Sequence, residues 1–375
     1  MAAVLDKSRV TPRQLLFSVA CFLQASSLLA SFVMTLTGRE SWISVVLGFV
    51  ISLGLVCLYI GLVKRFPGMN LFSIHEAVYG TGLGKMISFL YVFFFLTMTS
   101  VNVNDVSRFT VDYIMPATPS VVIVLTLMFV CGWAARKGAA GICRMGFLFF
   151  ILVTGITVAN VLMLIKDMDL SNFLPAFQLP VTDYLKGAGA VATVPFGEIL
   201  VFLMFVPNVD AAEGTGLRKP VFAGLAIGAA TLLVVVCRNI GVLGNLVSVV
   251  SLPSYEAVRH IQIADVITRV DVLYALSMLF LQFFKISLYF YASALGIAQI
   301  FRLKNYTFLI PVIGALAAGY AFVVFGPSME NTYWGSHIVP VFAAAFEIAL
   351  PMVTLLASLL PRAGRRHRAK EEVRE

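Results

Sequence analysis

Charge is scarce in this 375-residue chain: Asp, Glu, Lys and Arg together supply 12% of it, about half the share in a soluble globule. Beside 60% hydrophobic residues, that scarcity excludes a water-soluble fold. Histidine is rarer still: His75, His260, His337 and His367 lie far apart, with no HExxH or Cys–His spacing to hold zinc. Five cysteines (Cys21, Cys57, Cys131, Cys143, Cys237) form no CxxC pair. Most sit in apolar runs and read as small buried or lipid-facing residues. The segment Gly80–Met86 (GTGLGKM) resembles a phosphate loop but lacks the GxxxxGK[ST] spacing and the hydroxyl after lysine. It reads as a turn. Nothing points to an enzyme or a cofactor, and no polar stretch is long enough for a soluble domain.

Long apolar runs fill the chain instead. Ten are long enough to cross about 30 Å of hydrocarbon: 13–36, 42–63, 86–110, 119–135, 145–165, 187–208, 219–243, 272–298, 306–325 and 337–360. The first follows basic residues, as a signal peptide would. At roughly 23 residues it exceeds a signal core, and nine further runs follow, so it is expected to stay as a span.

The net charge of +8 is unevenly placed. Alternate connections carry Lys7, Arg9 and Arg13; Lys64, Arg65 and Lys85; Arg136, Lys137 and Arg144; Arg218 and Lys219; Arg302 and Lys304. The opposite set holds chiefly Arg39, Lys166, Lys186, Arg259 and Arg269. The positive-inside rule therefore places both termini in the cytoplasm. The basic tail 361–375 reads as an anchor to anionic lipid, not a nucleic-acid site. Ser254–Ile267, on the predicted outer side, has the loose apolar spacing of a helix lying on the bilayer surface. Leu71–Tyr79, with His75 and Glu76, reads as a short amphipathic segment on the inner side, and Gly224 with Gly228 as a close helix-packing motif.

Two runs are interrupted near mid-span, the first at Gln24-Ala25-Ser26-Ser27 and the sixth at Thr193 to Glu198 (TVPFGE). Proline removes a backbone donor and glycine permits an unwound turn. Freed backbone survives in hydrocarbon only where it lines a cavity or meets a ligand. Ten spans divide as five plus five, and an odd number inverts the second copy. The expected architecture is an all-α integral membrane domain over 1–375 of the leucine-transporter kind. Its repeats span 11–166 and 187–360, and helices 1 and 6 are broken. At 1.5 Å per residue, Gln24–Ser27 lie about 16–21 Å deep and Pro195–Glu198 about 12–17 Å. Lys285 lies about 20 Å and Glu347 about 16 Å deep, so all four meet near the midplane.

Three of these groups are ionisable. A charge at the bilayer centre costs about 2.5–3.5 kcal/mol on insertion scales. For Glu198 a cation, backbone donors, a ligand or protonation would offset it; the plainer reading is a neutral structural carboxyl. Lys285, flanked by Phe284, either pairs with Glu198, faces a cavity or is deprotonated by burial. Glu347, in the last span, is the weakest of the three as a functional candidate. Asn102, Asn104, Asp105 and Arg108 cluster at the outer end of the third span, as a vestibule or as a helix end near water. Tyr289 and Tyr291 read as packing residues.

Short motifs in a fixed order then suggest a family. They are Gly38–Ser44 (GRESWIS), Arg65-Phe66-Pro67, Asn172–Pro175 (NFLP), Pro195–Glu198 (PFGE) and Ile267–Asp271 (ITRVD). Over nearly its whole length the chain resembles the B subunit of GerA-type bacterial spore germinant receptors, within the amino acid–polyamine–organocation transporter superfamily. The resemblance implies a protein of the spore inner membrane that senses a small nutrient, such as an amino acid, with A and C subunits as partners. It also implies a pocket between spans one, three, six and eight. The residues expected to bind ligand are Gln24, Ser26, Ser27, Thr193, Pro195, Phe196, Gly197, Glu198, Phe284 and Lys285. Ser26 and Ser27 stand where many relatives are expected to carry glycine. The rival reading is an autonomous ion-coupled transporter, and a third is a scaffold for the other subunits.

Overall fold

The computed structural model describes residues 6, 8–210, 217–259, 271–324 and 333–360. The basic tail, most of Ile267–Asp271 and the second half of Ser254–Ile267 lie outside the described residues.

Among the described residues every regular element is helical, and the single β-bridge joins Val10 to Val209. The α-helices are α1 (Pro12–Ser27), α2 (Ser31–Thr37), α3 (Ser41–Arg65), α4 (Leu71–Tyr79), α5 (Thr81–Phe109), α6 (Ser120–Arg136), α7 (Gly138–Leu164), α8 (Val181–Thr193), α9 (Arg218–Leu243), α10 (Pro253–Arg259), α11 (Asp271–Ile300) and α12 (Ile310–Val324). The last, α13 (Trp334–Ser358), contains π turns at Trp334–Ile338 and Ala345–Ala349. A 3-10 segment, Gly197–Met204, follows α8.

Among the described residues seven helical stretches are long and apolar enough to cross a membrane, fewer than the ten runs in the sequence. The difference has simple causes. Helices α6 and α12 have only 17 and 15 residues, and α1 stops at Ser27 after 16.

Local chemistry sets several of these ends. Thr11 and Gln14 form a reciprocal capping box with Pro12 in the first turn, so α1 starts there. Its C-terminal end comes slightly later than the polar run suggests. Gln24–Ser27 are still helical, and the chain turns through Leu28–Ala30, where Ala30 takes a left-handed φ of 47°. Helix α8 ends because Pro195 offers no N–H; Val194 N–H still reaches Ala190 O at 2.7 Å.

Packing centres on α1, which lies against α7 and α9. Gly224 and Gly228 make the α9 contact possible. A Cβ on Gly224 would fall 2.7 Å from Leu16 O, and one on Gly228 2.5 Å from Leu23 Cβ. Helix α5 packs along α11 and α3 along α8, which sets four elements around one central volume. Helix α10 departs from the surface-helix expectation. Tyr255 and Val258 are buried within the protein, Tyr255 against Phe109, Tyr113 and Tyr274.

Candidate functional site

The centre of the bundle holds a buried ion pair. Lys285 Nζ on α11 lies 2.6 Å from Glu198 Oε2 in the 3-10 segment, and both side chains are 2% exposed. The same ammonium donates to Ser26 Oγ in the last turn of α1 at 2.6 Å, and the Ser26 hydroxyl lies 3.5 Å from Glu198 Oε2. The Phe22 ring faces the ammonium, its centroid 5.2 Å away. One cation therefore ties the end of α1 to the segment that follows α8. The backbone released at the α1–α2 turn is also answered: Tyr274 donates its hydroxyl to Leu28 O at 2.8 Å.

Directly beside the pair lies a cavity of about 160 Å³. A water needs roughly 10–15 Å³ on that scale, so a solute of on the order of ten non-hydrogen atoms fits. Ser26, Val194, Glu198 and Lys285 line one end. Met98, Asn102, Asp105, Arg108, Phe109 and Asp112 of α5 and its π-turn extension line one wall, and Ser251, Leu252 and Val339 close others. The α5 residues recur at three- and four-residue spacing, which puts them on one helical face. Arg108 Nε donates to Asn104 Oδ1 at 3.3 Å. The site expectations omit this wall, because a polar cluster near a helix end also reads as ordinary exposure to water; the spacing was the available signal.

The ten expected residues divide. Ser26, Glu198 and Lys285 meet at the cavity. Gln24 points elsewhere, its Nε2 donating to Thr154 Oγ1 at 2.9 Å. Ser27 and Thr193 bond back to their own helices, at Leu23 O and Gly189 O. Phe196 packs on Phe49, and Phe284 presses against Gly146. Pro195 lies between the helix end and Gly197, and Gly197 abuts the Glu347 carboxyl.

Beyond the N-terminal end of α1, roughly 20 Å from Ser26 at 1.5 Å per residue, Asp6 and Ser8–Val10 form a strap. Asp6 accepts from Ser8 N and Ala139 N at 2.8 Å and from Tyr291 Oη at 2.7 Å. Asn208 Nδ2 donates to Asp6 O and Ser8 O, and Val10 pairs with Val209. Two family-like motifs also meet. Arg39 donates to Leu174 O, while the Glu40 carboxylate accepts from Phe177 N, Gln178 N and the Tyr184 hydroxyl.

Known proteins share this fold. In overall fold the chain is similar to MHP1, a nucleobase-cation-symport-1 family transporter in a closed conformation with bromovinylhydantoin bound. That match has a TM-score of 0.63 and 14% identity, covering 96% of this chain and 80% of the transporter. It is likewise similar to a Na⁺-coupled sialic acid symporter in a substrate-bound outward-open state, with a TM-score of 0.64, 12% identity and coverage of 92% and 78%. In sequence it is 26% identical to spore germination protein KB of Bacillus subtilis, across 99% of this chain and 100% of that one. Spore germination protein B2 of the same organism is 20% identical, with coverage of 95% and 99%. The family model described as "Spore germination protein" matches residues 9–324, and the chain belongs to that spore germination protein family.

Proposed function

We propose that the chain is the nutrient-sensing membrane subunit of a spore germination receptor. A small solute, an amino acid by preference, sits in the cavity between the two helix interruptions, α5 and α11. The observation that carries this reading is the cavity itself. It lies where α1 gives way to α2 and α8 to the 3-10 segment, beside a buried Lys–Glu pair that a charged solute can rearrange. In this reading α1 with α2, and α8 with Gly197–Met204, are broken spans one and six of a ten-span, five-plus-five inverted repeat. Both termini face the cytoplasm, and the membrane is the spore inner membrane. The partners are the A and C subunits that the family resemblance implies.

A bound solute acts by preferring one of two conformations. Glu198 holds an ammonium group or, exchanging partners, frees Lys285 for a carboxylate; Asn102 and Arg108 offer further polar contacts on the α5 wall. The test is a thermal-shift screen of amino acids, sugars and nucleosides on the purified protein. A true ligand at a hundredfold over its Kd stabilises by about 2.7 kcal/mol. Glu198→Gln abolishes that shift. A ligand that stabilises wild type and Glu198→Gln equally refutes the assigned site.

The fold similarity to two solute transporters favours one rival reading, an ion-coupled transporter that acts alone. Proteoliposomes holding only this chain separate the two. A sensor binds without accumulating solute, whereas a transporter concentrates it when an H⁺ or Na⁺ gradient is imposed.

A further inference from the structure

Glu347 has no part in the ligand reading, yet it is fully buried and neither carboxyl oxygen has a hydrogen-bond partner. Its backbone explains how it comes to face inward. Pro351 has no N–H for the Glu347 carbonyl, and Leu350 N–H bonds Ala345 O rather than Phe346 O, which widens the helix into a π turn. Two tyrosines take the carbonyls so released. Tyr59 Oη lies 2.7 Å from Glu347 O, and Tyr91 Oη lies 2.7 Å from Phe346 O.

The turn aims the carboxyl at the second helix interruption, where it lies so close to Gly197 that a Cβ there would overlap Oε2. Among the described residues every neighbouring donor is occupied or out of reach. The Tyr59 and Tyr91 protons go to backbone carbonyls, and the Lys285 ammonium is held by Ser26 and Glu198. The Tyr289 hydroxyl lies on the Glu198 side, near enough to feel the charge of both carboxyls, and makes no hydrogen bond to Glu347. From α4, His75 stacks on Tyr91 and does not reach the carboxyl. Glu198 and Lys285 are the charged groups within electrostatic range, and together they are already neutral. An ionised Glu347 would add a lone, fully buried negative charge with no donor.

We propose that Glu347 is a proton-binding site coupled to the helix interruption at Gly197. It holds a proton as the carboxylic acid while Lys285 is engaged by Glu198. When a solute draws Glu198 away, the ammonium is free to face Glu347. The acid O–H bond then breaks, its electron pair stays on the carboxylate, and the proton passes to water entering the cavity beside Val194 and Glu198. The release half rests on the ligand reading; the proton site does not.

The test is infrared difference spectroscopy of the nutrient-free protein in nanodiscs, comparing wild type with Glu347→Gln. A protonated-carboxyl C=O band at neutral pH that is lost in the variant, and is unmoved by Na⁺ or K⁺, is the expected result. Absence of that band, or its loss when either cation is added, overturns the proposal, the latter in favour of a cation site. A second readout needs no spectrum. Wild type must give up a proton to unfold above pH ~4.3, so its unfolding constant rises up to tenfold per pH unit relative to Glu347→Gln. A flat ratio overturns the proposal. Should Glu347→Gln not fold, the wild-type band, its downshift in D₂O and its loss at alkaline pH decide the question alone. Because no nutrient is present, failure here leaves the ligand reading standing, and failure of the ligand screen leaves this result standing.

Discussion

Breaking the central ion pair from either side should produce stability losses with opposite pH slopes. At 2.6 Å and an effective dielectric of 20, the Lys285–Glu198 attraction is about 6 kcal/mol. Desolvating two ions offsets much of that, so the net value of the pair is small, while removing one partner costs about 3–5 kcal/mol. The orphan limits its own damage by becoming neutral. In Lys285→Met, Glu198 takes up a proton at a cost that cannot exceed about 3.7 kcal/mol at pH 7, which is 2.7 pH units from an ordinary glutamate. In Glu198→Gln, Lys285 sheds its proton for at most about 4.6 kcal/mol.

The signs follow from proton counts. In Lys285→Met the native state holds a proton that the unfolded state lacks above pH ~4.3, so the deficit shrinks toward acid. In Glu198→Gln the unfolded state holds the extra proton, so the deficit shrinks toward alkali, its proton cost falling to at most about 1.9 kcal/mol at pH 9. Denaturant unfolding in detergent across pH 5–9 measures both, with Lys285→Met/Glu198→Gln closing the cycle at a cost below the sum of the singles. Two pH-independent deficits of under about 1 kcal/mol would mean that water reaches the pair and that it is an ordinary surface bridge.

Other outcomes are equally specific. Gly197→Ala places a Cβ against Glu347 Oε2 and should cost about 1–3 kcal/mol, much of it recovered by also truncating Glu347; a neutral Gly197→Ala refutes the close approach. Asp6→Ala removes the cap on Ala139 and the acceptor of Tyr291, with a loss of about 1–2 kcal/mol and faster hydrogen exchange at Ala139 and Ala140; unchanged exchange would show that the strap is not held by this carboxylate. Burial pulls the His75 imidazole down to about 3 from its usual 6.5. Its contribution is complete above pH ~6.5 and falls as pH drops toward 3, by about 2 kcal/mol at pH 5. His75→Phe should remove that slope from the melting profile, and an identical slope in both proteins would exclude His75 as its source.

Much of the membrane character is legible in composition, and Pro195 and Gly197 mark the region where α8 stops. Finer placement failed for reasons of helical phase. Gln24 and Ser26 are two residues apart, about 200° around a helix, so they cannot face the same cavity, and only Ser26 does. Leu28–Ala30 carries no breaker, and an alanine took the left-handed position, so the turn itself left no mark. The α5 wall is visible as spacing, but a vestibule and a helix end near water share that pattern. Glu347 is the weakest candidate in the sequence because a last span often packs at the periphery; its inward aim depends on a π turn whose sequence trace is only Pro351, four residues on.

Glu40 gives the two halves of the chain a shared handle. It follows α2 directly, yet its carboxylate grips the backbone at Phe177 and Gln178 and the hydroxyl of Tyr184 in α8. A tilt of α2 that left the start of α8 behind would have to break these bonds, so the Glu40 carboxylate ties the positions of the two helices together.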